Sequence, residues 1–309
     1  MEGVTGAAWR RAHAAVFGGC GKYFAPFFSP TREHIMPPRA RRELLPGNNA
    51  GFTLVPQLLC RNADDFIWAA EELLAMGYAE LNFNLGCPSG TVAAKGKGSG
   101  FLAFPDELDA FFTRVFSALP GARISVKTRL GTEDEGEWPR LLEIFSRYPI
   151  CELIVHPRIR RDQYKGAVRG AAFALAFEYI RAPLCYNGDI FTPGAAAAAA
   201  ERFPGTAALM LGRGLAADPA LARRIGGGKA ASREELRRFH SLVWDGCARD
   251  FGSEGAAIPR MKELWSYLIN SFEPCKPLYK ALAKSRAPDG YLRAAEEILA
   301  SVPLRREEN

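Results

Sequence analysis

The sequence predicts a (β/α)8 barrel with a small all-α helical region behind it, and three observations point there. Seven short β-rich runs alternate with longer helix-compatible stretches, the rhythm of repeated βα units. Polar or reactive residues lie at or just past the C-terminal ends of six successive runs: Gln57, Asn84 with Cys87, Lys127, His156, Asn187, and Gly212 with Arg213. In a closed parallel barrel such ends converge on one face, whereas an open doubly wound sheet leaves them in a line with one crevice. Third, the pattern changes after Gly226-Gly227-Gly228, and only helical periodicity follows.

Taken in order, the strands are residues 22–28 (KYFAPFF), 53–58 (TLVPQL), 79–84 (AELNFN), 123–128 (RISVKT), 152–156 (ELIVH), 183–187 (PLCYN) and 206–211 (TAALML). Helical runs at 64–76, 107–119, 138–148 and 193–203 lie between them. Thr192 is placed to cap the last of these with Pro193 at its first position, and the alanines at 195–200 read as helix because Ala is the best helix former. Seven strands fall one short of eight. Beyond the glycines, Ser232 to Glu235 form a capping box that opens a helix with Leu236, Phe239, Val243, Trp244 and Cys247 on one face. Further helices are expected at 257–270, 276–286 and 290–301, which divides the chain into a barrel at 1–228 and a helical domain at 229–309. From Lys229 onward 14 basic residues face 12 acidic ones, so this domain is not a strongly basic arm.

Composition narrows the class. With 309 residues, 48% apolar and 24% charged, the chain can bury about three quarters of its unfolded surface without disulfides or metals. No apolar run approaches the roughly 20 residues of a membrane helix. The first twenty residues mix Glu2, Arg10, Arg11 and His13 with small residues, which is not a secretory signal. Seven cysteines, at 20, 60, 87, 151, 185, 247 and 275, contain no C-x-x-C pair, and reduced cytosolic thiols are the simple expectation. The chain is accordingly expected to be cytoplasmic, monomeric and free of metal. Thirty of the 40 basic residues are Arg, suited to planar recognition of phosphate, although a coding bias gives the same ratio. A net charge of +6 permits a polyanionic partner without identifying one.

The densest motif is Asn84-Leu-Gly-Cys87-Pro, followed by Lys95-Gly-Lys-Gly98. A thiol after a strand, beside Pro and among glycines, is held on a rigid turn. A thiol that is mostly protonated near neutrality can donate a proton as readily as attack. Taken alone, a buried structural Cys is an equal reading. The glycine run is weak evidence for phosphate binding.

In these residues the chain resembles the tRNA-dihydrouridine synthases, FMN-dependent flavoproteins of the TIM-barrel group. The family's Asn-x-Gly-Cys-Pro and Val-x-x-Lys-Gly-x-Gly runs match Asn84–Pro88 and 92–98, with Phe101-Leu102 after them. In order come Lys127-Thr-Arg129-Leu-Gly131, Val155-His156-Pro-Arg158 with Tyr164-x-Gly166, Asn187-Gly188-Asp189-Ile, and Met210-Leu-Gly212-Arg213-Gly. The resemblance covers residues 1 to about 228 and, more loosely, the helical domain. It implies that Lys127 steadies negative charge on the flavin ring, that neutral His156 and Gln57 hydrogen-bond it, and that Asn187, Gly188, Asp189, Gly212 and Arg213 hold its phosphate. Cys87 becomes the catalytic acid. Asn84, Lys95, Arg129, Arg158 and Tyr164, with Arg160 and Arg161, become candidates for contact with RNA. One departure is Pro157 in place of the family's glycine, which could shift the reach of Arg158 toward RNA.

Family members open with a strand ending Ala-Pro-Met-x-Gly-Val-Thr, and this sequence opens Met1-Glu-Gly-Val-Thr5. The resemblance therefore implies that the sequence starts at the tip of the first strand, places Met1 and Glu2 beside the flavin, and puts Arg10 in the first helix. The function it implies is reduction of the uridine C5–C6 bond in structured RNA, most simply tRNA, with NADPH as reductant and the target base flipped from its stack. Three other readings stand beside it: the same chemistry on ribosomal RNA, a flavin reductase of a small pyrimidine or enone, and an RNA-binding module with a vestigial flavin site.

Overall fold

The computed structural model of the chain describes residues 1–305. Its strands are β1 (Tyr23–Phe24), β2 (Leu54–Val55), β3 (Gln57–Leu58), β4 (Leu81–Leu85), β5 (Ile124–Arg129), β6 (Leu153–His156), β7 (Leu184–Tyr186) and β8 (Ala208–Leu209). From β3 to β8 each strand pairs in parallel with the next in sequence order. Strands β1 and β2 pair separately, but Phe28 continues onto Leu58, so the second expected strand is one strand cut by Pro56. Proline has no N–H to give the ladder, though the Pro56 carbonyl still accepts from the Asn82 N–H at 2.8 Å. The seven expected runs thus lie side by side in order. Buried on both faces, β4 and β6 are apolar apart from Asn84 and His156, which reach the site, and Asn82, which bonds Gln57 and Ser125 behind it.

The helices are α1 (Ala7–Val16), α2 (Pro38–Leu44), α3 (Ala63–Ala75), α4 (Gly90–Ala93), α5 (Pro105–Ala118), α6 (Trp138–Ser146), α7 (Gly170–Tyr179), α8 (Pro193–Arg202), α9 (Arg213–Ala217) and α10 (Leu221–Ile225). The C-terminal set is α11 (Arg233–Phe251), α12 (Glu254–Leu268), α13 (Lys276–Lys284) and α14 (Pro288–Ser301). Crossovers α3, α5, α6, α7 and α8 cover the outside of the sheet, as parallel pairing requires. Thr192 caps α8 by accepting from the Ala195 N–H, and Ser232 with Glu235 forms the capping box of α11.

No hydrogen bond joins β8 to β1 among the described residues. Met1 to Thr5 form a turn beside that opening, with the Val4 and Thr5 amides on the Met1 carbonyl at 3.3 and 3.1 Å. Helix α1 follows, anchored by buried Arg10, which donates to Glu43 and Asn49, both at 2.7 Å.

The glycines at 226–228 make a clasped turn where the sequence suggests a linker. Arg223 on α10 donates to the carbonyls of Lys229 and Ala230 and to the Glu235 carboxylate. The helical region behind it is packed, not detached. Phe239 of α11 meets the rings of Trp9 on α1 and Phe17 just past its end, at 6.0 and 5.5 Å between centroids.

Candidate active site

A cleft of about 570 Å³ opens at the C-terminal ends of the strands, a size typical of a small-ligand pocket. Every flavin-site residue expected from sequence lines it: Met1, Glu2, Gln57, Cys87, Lys127, His156, Asn187, Gly188, Asp189, Gly212 and Arg213. Asn84, Arg129 and Tyr164 line it too. Arg158 and Lys95 do not.

The thiol is placed by the residues around it. Asn84 accepts from the Gly86 and Cys87 amides at 3.0 and 2.9 Å, an Asx-type turn that sets Cys87 just past β4. The Asn84 amide donates to Gln57, whose own amide donates to Asn82, a chain of buried side chains ending on Ser125. Such a network is rigid when every member is satisfied. On the other side Ser99 donates to the Cys87 carbonyl through both its N–H and its hydroxyl, at 3.1 and 2.8 Å. Gly98 has φ +57°, and a Cβ there would fall 2.9 Å from the Cys87 carbonyl. The glycine run therefore packs against the thiol turn. Lys95 is exposed outside the cleft, and its neighbour Lys97 donates to Ser29.

Lys127 is half-buried, facing the cleft, with no hydrogen-bond or ion-pair partner among the described residues. Burial, and then Arg129, lower its pKa to about 8. His156 is buried, and desolvation followed by the surrounding cations, Lys127 first, lowers its pKa to about 2. A pKa that low favours the neutral ring near neutral pH. Because the Arg158 guanidinium can only donate, His156 Nε2 at 3.2 Å must accept, which leaves the ring proton on Nδ1. An unpaired ammonium and an imidazole N–H in one cleft suit an electron-rich ring with carbonyl oxygens.

Two arginines expected from sequence to contact RNA have their guanidiniums engaged by neighbouring groups of the chain. The Arg129 guanidinium is 1% exposed and donates to three carbonyls, Gly86 at 2.9 Å, Ile159 at 3.0 Å and Gln163 at 2.7 Å. Only its face, 5.5 Å under the Tyr164 ring, remains. Arg158, equally buried, grips the Asp189 carboxylate and the Gly166 carbonyl. Both are spent on neighbours. The Pro157 carbonyl accepts from Arg169 N–H, holding this loop inward. Arg160 is paired with Glu133, and Arg161 is exposed.

At the last two strand ends, the Asn187 amide donates to the Met210 carbonyl at 2.7 Å and ties β7 to the β8 end. Asp189 stands at φ +45°, where a non-glycine residue is strained, and is held there by Arg158 and by Arg213 at 2.8 Å. Those arginines keep its carboxyl below the usual carboxylate range. Arg213 lies over the Tyr164 and Phe191 rings at 4.8 and 5.5 Å, half-exposed at the rim where an anion can reach it.

Sequence reading missed several contributors, Phe24, Ala25 and Phe191 among them. Pro26 and Phe27 extend the wall from β1, and an apolar strand tip gives no chemical signal. Tyr267 enters from α12, so the helical region also contributes to the cleft, which no local pattern indicates.

The profile of the dihydrouridine synthase (Dus) family matches residues 1–252. A tRNA-dihydrouridine(16) synthase of Ralstonia nicotianae is 30% identical over 98% of this chain and 95% of its own length. One of Haemophilus ducreyi is 26% identical over 82% of this chain and 78% of its own. Among solved structures, the old yellow enzyme homologue from Zymomonas mobilis superposes with a TM-score of 0.51 at 14% identity, over 77% of this chain and 88% of that one. A complex of TcOYE with pHBA gives 0.53 at 9%, over 81% and 90%. At these identities the structural likeness speaks for the barrel alone.

Proposed function

The chain belongs to the dihydrouridine synthase family, and from that premise we propose how its cleft divides the labour of reducing a tRNA uridine to 5,6-dihydrouridine. The enzyme is a flavin-dependent oxidoreductase; the flavin proposed here is FMN and the reductant NADPH. Bound flavin supplies hydride for C6 of the uracil, and everything else falls to the polypeptide.

Cys87 protonates C5. The observation that carries this reading is the turn that presents it: two amides on Asn84 and two donors from Ser99 fix the residue at the edge of the cleft that holds Lys127 and His156. Lys127 and the His156 Nδ1–H would hold the flavin ring, Gln57 steadies Asn84, and Met1 and Glu2 would close one side. Gly188, Gly212 and Arg213 would hold the phosphate. Asn187 keeps the two strand ends in register. Tyr164, exposed at the rim and backed by two guanidiniums, offers a stacking face to the flipped base. The barrel, 1–228, carries the chemistry, and the helical region that follows closes the cleft through Tyr267 and contacts RNA.

The test is direct. The purified protein should be yellow, release FMN on denaturation, and with NADPH add two hydrogens to a uridine of an unmodified tRNA transcript, read by mass mapping. Position 16, carried in the names of the Ralstonia and Haemophilus relatives, is the first to examine. A colourless protein, or a yellow one that reduces free enones and leaves tRNA unchanged, overturns the proposal.

A further inference from the structure

Beside the cleft lies a second hollow of about 290 Å³, walled by Phe27, Val243 and Leu264 and bounded by α2, α11 and α12. It shares Glu2, Pro26 and Phe27 with the active-site cleft, so one wall separates them. Its volume lies at the low end for a ligand pocket, room for one planar ring.

The rim carries uncommitted positive charge. Arg39 and Arg42 on α2 are exposed and have no carboxylate partner among the described residues. By contrast, two of the acids in the hollow are already neutralised, Glu43 by Arg10 at 2.7 Å and Asp250 by Arg11 at 3.3 Å. At the lip the ring of Phe251, 37% exposed at the end of α11, has the guanidiniums of Arg39 and Arg260 at 5.9 and 5.5 Å. An exposed aromatic flanked by arginines offers a base a face to stack on and its phosphate a counter-charge. Neither α2 nor Phe251 has a part in the chemistry proposed above.

Resting on that function, we propose that this hollow binds the base of the nucleotide next to the uridine being reduced, with Arg39 and Arg42 on its phosphate. Flipping the target unstacks its neighbour, and a stacking platform one wall away would recover part of that loss and set which strand segment can enter.

Affinity for an unmodified tRNA transcript, measured across a salt series, tests this in the flavin-loaded protein. Phe251→Ala should weaken binding roughly 5- to 100-fold, the range for one base–aromatic stack, and Phe251→Leu, which keeps the bulk, should weaken it as well. Arg39→Gln with Arg42→Gln should lower the slope of log affinity against log salt by about 1 to 2. Arg181→Gln, exposed just before β7 on the opposite end of the barrel, should leave the slope nearly unchanged. 4-Thiouridine beside the reduced position should crosslink to the peptide containing Phe251. Unchanged affinity and slope in a protein that still makes dihydrouridine overturn the hollow's assignment and spare the enzyme's. A higher KM for NADPH with normal tRNA affinity overturns it too, in favour of the reductant. A wild type that makes no dihydrouridine removes both together.

Discussion

Replacing Arg158 by Met separates two roles that the sequence alone cannot. If the guanidinium contacts RNA, its loss weakens RNA binding, flattens the salt dependence by about one unit, and leaves the fold untouched. The structure leads to the opposite expectation. Arg158 is 1% exposed and donates to the Asp189 carboxylate, the Gly166 carbonyl and His156 Nε2. Removing it leaves three acceptors short of a donor, each worth about 1–3 kcal/mol when it stays buried. Gly166 is exposed and can turn to water, and Asp189, about a third exposed, keeps Arg213, so both contributions are discounted. His156 Nε2 stays buried. The total is about 2–4 kcal/mol, against about 5–15 kcal/mol for a whole domain. Strained Asp189 would also relax and carry Arg213 with it, weakening flavin binding through the phosphate. Urea unfolding followed by circular dichroism, flavin titration and RNA affinity across salt give three independent readings. A variant as stable as wild type, fully loaded with flavin and defective only in RNA binding would refute the assignment of Arg158 as an internal brace.

Four further outcomes are expected. Cys87→Ala should bind flavin and allow its reduction by NADPH normally while losing about 10²- to 10⁴-fold in dihydrouridine formation, measured by single-turnover mass analysis; wild-type turnover would remove the thiol from the mechanism. Asn84→Ala frees the Gly86 and Cys87 amides and should lower turnover with little effect on flavin affinity, checked by comparing kcat with the flavin Kd. Buried His13 and His240 both have pKa values lowered to about 4, chiefly by desolvation, so the unfolded chain binds more protons between pH 4 and the ordinary histidine value near 6.5. Stability should be full above that value and fall as pH drops toward 4, by about 3 kcal/mol for each histidine, and His240→Gln should flatten the urea-midpoint profile. Deleting the chain from Lys229 would bare Trp9 and Phe17 and remove Tyr267 from the cleft, so the remaining barrel should aggregate or bind flavin weakly, seen by size exclusion and flavin content.

What the sequence made legible is what local physics controls. A strand is short, apolar and followed by a break, so all seven runs could be found, and only the split at Pro56 needed coordinates. A residue at a strand end in a parallel barrel must face the site, which is why Gln57, Cys87, Lys127, His156 and Asn187 could be placed from order alone. The direction of an arginine is not of this kind. Its stem spans enough conformations that Arg129 and Arg158 could reach outward or fold back, and only the positions of the carbonyls of Gly86, Ile159, Gln163 and Gly166 decide between them. Contacts over long chain separations were equally hidden, as Phe239 on α1 and Tyr267 in the cleft show.

The same distinction explains why the site has charges of two kinds. Arg129 and Arg158 have their donors taken up by carbonyls and a carboxylate, which makes them parts of the framework, whereas Lys127 was left with none. A partly desolvated cation without a partner is costly, and desolvation is the first cause of its lowered pKa. An electron-rich group bound in the cleft would offset that cost. Lys127 is therefore the residue on which flavin binding and protein stability should be most tightly linked. Lys127→Met is expected to stabilise the flavin-free protein, since it replaces an unpaired charge by an apolar chain of similar length, and to weaken flavin binding at the same time. Thermal melting with and without added FMN separates the two effects: the flavin-induced rise in Tm should shrink in the variant while its flavin-free Tm goes up. If both melting temperatures fall together, the ammonium was already satisfied without flavin and the argument from its isolation fails.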